Sequence, residues 1–155
     1  MLGLLGLAYS ALTGFLAASS TEVFRHVSSG IFFTLIILLA HSMTMFYLIG
    51  KGKAVREAVA EGDLSPDLYA TVARARKPVF SIGTFAMLLT MATAIIGGGV
   101  DTGAIPAGIH SIIAVSAIAA NVMALRTEIS AMLSISGVVA EIDSLLAETE
   151  STSRS

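Results

Sequence analysis

Three long runs without a charged side chain constrain this chain more than any other feature of its sequence. The runs cover residues 31–50, 78–98 and 105–125, and none contains Asp, Glu, Lys or Arg. An α-helix rises 1.5 Å per residue, so about 20 apolar residues cross the roughly 30 Å hydrocarbon core of a bilayer. Because lipid offers the backbone no hydrogen-bonding partner, each run is predicted to be a transmembrane helix.

The overall composition supports the same class. Hydrophobic residues make up 55% of the chain and charged residues only 13%, against about 25% charged residues in a typical soluble domain. A water-soluble fold with so few charges would expose large apolar patches and would aggregate. The sequence therefore predicts an all-α integral membrane bundle that forms a single membrane domain over residues 1–155.

The cysteine count and the net charge exclude several classes of function. The chain has no cysteine, which excludes disulfides, thiolate catalysis, cysteine-ligated zinc and iron–sulfur clusters. The net charge is −2, and no excess of basic residues points to a nucleic-acid partner. The expected surroundings are a lipid bilayer and other membrane-protein subunits, or further copies of the same chain.

The N-terminal run, residues 2–18, is apolar and uncharged but shorter than the other three. Gly3, Gly6, Ser10 and Thr13 lower its hydrophobicity. It could be a fourth span, an interfacial helix or a signal peptide, but no Lys or Arg precedes it as a signal peptide requires. Its lack of charge favours a fourth span.

The basic residues predict the orientation of the bundle. Segment 51–77 holds six of the nine Lys and Arg residues, whereas the opposite loop, 97–104, holds Asp101 and no basic residue. Basic segments remain on the cytoplasmic side, so segment 51–77 and the C-terminus should be cytoplasmic, as in a bacterial inner-membrane protein. The segment itself is predicted to be a helical hairpin, with a solvated linker as the alternative.

Local signals predict the ends of these helices. Gly62 should stop the first hairpin helix, Ser65-Pro66-Asp67 should start the second, and Pro78 should kink or break it. After Arg126, segment 127–148 is predicted to be an amphipathic helix that packs on the hairpin or on a partner chain. Its apolar residues follow a heptad spacing: Met132, Ile135, Val139, Ile142 and Leu146.

His41, His110 and Asn121 are the candidate cofactor-binding residues because they are polar side chains inside predicted spans. Imidazole is a common haem ligand, so the more specific interpretation is that these residues bind haem b or a quinone. The simpler interpretation is that each histidine hydrogen-bonds a neighbouring helix. The predicted heights of His41 and His110 differ by about 7–8 Å at 1.5 Å per residue, which is large for two ligands of one iron.

Small residues share a stripe on two of the spans and predict their buried faces. The stripes contain Gly83, Ala86, Thr90, Thr93 and Gly97 on the second span, and Ala107, His110, Ala114, Ala117 and Asn121 on the third. His26 follows Glu22 by four residues and is predicted to form a capping or surface pair with it. Two such ligands are too few for a stable zinc site.

No known catalytic signature is present, and the three charge-free runs contain no acid of the kind that proton-coupled transporters use. The sequence therefore favours a non-catalytic accessory or assembly subunit of a larger membrane complex, without enzymatic activity by itself. An electron-transfer subunit that binds haem b or a quinone is the main alternative. A small oligomeric channel is the third, although no ring of charged residues supports it.

Overall fold

The computed structural model describes residues 1–153, which form four α-helices and no β-strand. The helices are α1 (Leu2–Leu16), α2 (Ser20–Glu61), α3 (Pro66–Asp101) and α4 (Ala107–Ser153). This architecture confirms the predicted all-α fold.

Within this described part of the chain, α2, α3 and α4 are long and apolar enough to cross a membrane. In the apolar 18-residue stretch of each helix, only 17% is buried in α2 and 22% in α3 and in α4. Large side chains such as Phe46, Ile95 and Ile112 are exposed. Exposed apolar surface on this scale is costly in water and favourable against acyl chains. The three helices thus indicate an integral membrane protein in contact with lipid.

Helix α1 is shorter and packs against α2. Its 15 residues extend about 22 Å, less than the roughly 30 Å of a hydrocarbon core. Its buried residues are Gly3, Gly6 and Ser10. A Cβ atom on Gly3 would lie 3.1 Å from Cα of Ile37, and one on Gly6 would overlap the Phe33 ring. Three of the four residues that lower the hydrophobicity of this run therefore form its contact face, as small residues do between helices in lipid.

The chain packs as two compact units. The apolar unit comprises Met1–Met43 and Ile82–Leu125, and the charged unit comprises Thr44–Ser81 and the described part of Arg126–Ser155. Helices α2, α3 and α4 each contribute to both units. The assignment of one membrane domain and the bounds of its spans stay predictions.

Most of the predicted helix signals act as expected. Helix α2 ends at Glu61, and the N–H of Gly62 donates to the Ala58 carbonyl at 3.0 Å. Helix α3 begins at Pro66, and the Ser65 hydroxyl accepts from the N–H of Asp67 at 3.3 Å. These contacts confirm the predicted stop and start.

Pro78 is predicted to kink or break the helix, and the break is wrong, because α3 continues through this residue to Asp101; the kink stays a prediction. A proline inside a helix removes one backbone donor and costs about 3 kcal/mol. Val72 and Val79, on either side of that turn, are both 0% exposed in the core of the charged unit. Their burial, at about 1.5–3 kcal/mol per side chain, offsets the cost and keeps the helix continuous.

The core of the charged unit joins the end of α2, the start of α3 and the later part of α4. Ile135 and Ile142, two of the heptad residues, are buried in it, and Met132, Val139 and Leu146 pack against it. The apolar seam of α4 therefore contacts the two helical segments that flank the α2–α3 turn. The other buried members of this core are Leu48, Val55, Val59, Leu68, Val72, Val79, Ala131 and Val138.

Candidate functional site

The most buried polar side chains of the apolar unit form one hydrogen-bonded chain across three helices. His41 on α2 and Thr90 on α3 are each 2% exposed, and Asn121 on α4 is 1% exposed. Nε2 of His41 lies 2.9 Å from Oδ1 of Asn121, and Nδ2 of Asn121 donates to Oγ1 of Thr90 at 2.7 Å. We call these three residues the polar chain.

Hydrogen bonds to the backbone complete the polar chain. The Asn121 amide donates its second hydrogen to the Ala117 carbonyl at 2.7 Å, and the Thr90 hydroxyl donates to the Ala86 carbonyl at 2.7 Å. Since Oδ1 of Asn121 can only accept, Nε2 of His41 carries the hydrogen of their bond. Every hydrogen of the Asn121 amide is therefore used within the protein. An arrangement of this kind fixes helices against one another and leaves these groups no donor for a ligand.

Small residues allow α3 and α4 to approach closely beside the polar chain. Ala86, Ala120 and Ala124 form a buried cluster, with Ile82 and Leu89 packed against it. The predicted stripes are buried in their inner parts, at Gly83, Ala86, Thr90, Ala117 and Asn121. They become half-buried at Thr93, Gly97, His110 and Ala114, and Ala107 is exposed.

The structure brings two of the three predicted site residues together and places the third elsewhere. His41 and Asn121 are bonded in the polar chain. His110 instead has the ring of His26 as its aromatic neighbour, with centroids 6.1 Å apart and ring planes at 77°. We call His26 and His110 the histidine pair. The two histidines considered for one haem iron thus have different sets of neighbours.

The histidine pair is the polar feature that sequence reasoning missed. Nδ1 of His26 bonds to Ser10 rather than to Glu22. The Glu22 carboxylate accepts from the N–H groups of Ala18 and Ser19 at 2.9 and 3.0 Å and from the Ser19 hydroxyl at 2.9 Å. This is a capping box, and the Ser-x-x-Glu spacing could have predicted it. No local signal connects His26 to His110, which is 84 residues later.

Helix α1 holds His26 in place. Nδ1 of His26 donates to the Ser10 carbonyl at 2.8 Å, and the Ser10 hydroxyl donates to the His26 carbonyl at 3.2 Å. On the other ring, Nδ1 of His110 is buried and has no hydrogen-bond partner. Over the residues that the structure describes, no group of three or more His, Cys, Asp or Glu side chains could hold a metal ion.

Comparisons with known proteins identify no family for this chain. No protein family model matches the chain, and neither a curated protein nor a solved structure matches it.

Proposed function

We propose that this chain is a non-catalytic accessory or assembly subunit of a larger membrane complex, made with other membrane proteins or with copies of itself. The polar chain is the observation that supports this proposal most. Its three side chains are at most 2% exposed and bond to one another and to the backbone. Polar side chains that bond to one another across the helices of a bundle stabilise helix packing, and this is the role that we assign to His41 and Asn121.

The proposal includes a location and an orientation. Lys51, Lys53, Arg56, Arg74, Arg76 and Lys77 all belong to the charged unit. By the positive-inside rule this unit lies in the cytoplasm, together with the C-terminus, and the apolar unit lies in a bacterial inner membrane.

The test is native mass spectrometry of the tagged full chain, extracted into lipid nanodiscs from the membranes of its own source cells. The expected result is a companion membrane protein, or a second copy of this chain, at fixed stoichiometry. An unrelated protein of three transmembrane helices, tagged and extracted in the same way, controls for nonspecific recovery. A chain that is monomeric and alone in nanodiscs, with all of it recovered, would contradict the proposal.

One observation favours a second candidate function, electron transfer through a haem b or a quinone. Nδ1 of His110 is buried without a partner, and such a nitrogen can ligate iron or accept a hydrogen bond. His41 belongs to the polar chain, in which its Nε2 donates to Asn121. A Soret band in protein from haem-replete cells, lost in His110→Ala, would support the haem form of this candidate. Protein without the band would exclude that form.

A further inference from the structure

We propose that His26 and His110 bind one first-row transition-metal ion of the kind that imidazole prefers, such as Zn²⁺ or Cu⁺. The site would connect α2 to α4 within the apolar unit. It does not depend on the accessory role, since a subunit with or without partners could hold the ion.

The distance between the two rings fits a shared ion. A metal–imidazole bond is about 2.0–2.1 Å, so two imidazoles on one ion have centroids roughly 5–6.5 Å apart, depending on the angle at the metal. The centroids of His26 and His110 are 6.1 Å apart. This separation lies within the range for two imidazoles on one ion and corresponds to a wide angle at the metal.

The hydrogen bonds leave one nitrogen of each ring available. Because Nδ1 of His26 donates to the Ser10 carbonyl, the neutral ring presents the lone pair of Nε2. A backbone carbonyl in this position is a common second partner of metal-binding histidines. On His110, Nδ1 is buried and has no hydrogen-bond partner. A buried nitrogen without a partner is costly, and a metal ion would satisfy it.

Glycines on the two remaining helices fix the position of the rings. A Cβ atom on Gly14 of α1 would lie 2.6 Å from Cε1 of His26, and one on Gly97 of α3 would lie 3.1 Å from Cε1 of His110. A side chain at Gly14 would therefore displace the His26 ring, and one at Gly97 would press tightly against the His110 ring. This close approach means that all four helices position the pair before an ion binds.

The protein supplies two ligands, because no third His, Cys, Asp or Glu joins the pair among the residues described. Water or a small molecule would complete the coordination. Two protein ligands are too few for a stable structural zinc site, so an open site of this type binds its ion reversibly and more weakly than a site with four protein ligands. Imidazole suits copper, zinc, iron and nickel, so the ion is drawn from this group.

The experiment titrates Zn²⁺ and, under reducing conditions, Cu⁺ into chelator-treated, tag-free full chain in detergent. We expect one ion per chain and at least a ten-fold loss of affinity in His26→Gln and in His110→Gln, since each change removes a ligand. His41→Gln is the matched control, because it removes the third histidine of the chain but neither ligand. It should keep the stoichiometry of one.

X-ray absorption of the metal-loaded natural chain provides a second measurement that does not depend on the folding of any variant. Two imidazole nitrogens at about 2.0–2.1 Å would support the site. The proposal is overturned if neither ion binds the natural chain. It is also overturned if the double variant His26→Gln/His110→Gln, with an unchanged circular dichroism spectrum, keeps the affinity. Absorption data with fewer than two imidazoles would overturn it as well.

Discussion

Replacement of Asn121 by leucine should lower the free energy of unfolding of the protein by about 1–3 kcal/mol. The change removes the acceptor of Nε2 of His41 and the donor to Thr90, and it leaves a buried imidazole donor without this partner. Hydrogen bonds between helices in lipid are worth about 0.6 kcal/mol on average and up to about 1.7. The expected loss of unfolding free energy is larger than the value of one hydrogen bond because the Nε2–H group of His41 stays buried after it loses Asn121 as its acceptor.

The measurement is SDS-induced unfolding in mixed micelles, followed by circular dichroism. Met123→Leu is the matched control, since Met123 is on the same helix but 56% exposed, and it should change stability by less than about 0.5 kcal/mol. A double-mutant cycle between Asn121→Leu and Thr90→Val isolates their bond and should give a coupling of about 0.6–1.7 kcal/mol. A coupling of zero would show that the polar chain does not stabilise the bundle.

The second large effect is expected at Ile135, where alanine should cost about 2–5 kcal/mol. Ile135 is 2% exposed in the core of the charged unit, where the end of α2 and the start of α3 meet the later part of α4. Removal of its outer carbons loses apolar burial and leaves a cavity that the neighbouring side chains fill only in part.

Thermal unfolding in mild detergent measures this effect, with Leu133→Ala as control. Leu133 is on the same helix and 70% exposed, so its truncation should change stability by no more than about 0.5 kcal/mol. Equal losses in the two variants would contradict the assignment of Ile135 to an internal core. A loss of complex formation in Ile135→Ala without a loss of stability would instead assign the seam to a partner chain.

The features that sequence reasoning predicted well depend on local physical chemistry. Charge-free length identified the three apolar helices, and the ends at Gly62 and Ser65 follow from capping chemistry. The bond between His41 and Asn121 fits the prediction that an intramembrane histidine bonds a neighbouring helix. Each of these predictions needs only the chain around the residue, or the cost of a polar group in lipid.

The features that were missed depend on packing between distant segments. The burial of Val72 and Val79 keeps α3 continuous at Pro78, and no local pattern reports that burial. In the sequence, the glycines of α1 only lower its hydrophobicity. In the structure, Gly3 and Gly6 form the face that contacts α2. The pairing of His26 with His110 needs the relative placement of α2 and α4, which one sequence does not contain.

The central claim is that the apolar helices cross a bilayer, and cysteine labelling tests it most directly. The chain has no native cysteine, so single cysteines can be placed at exposed Ser65, in the α2–α3 turn, and at exposed Thr102, after α3. A membrane-impermeant maleimide should label Thr102→Cys in intact bacterial cells, and Ser65→Cys only after permeabilisation. Equal labelling of both positions in intact cells would contradict a crossing by α3 and, with it, the account of this protein as a membrane-spanning bundle.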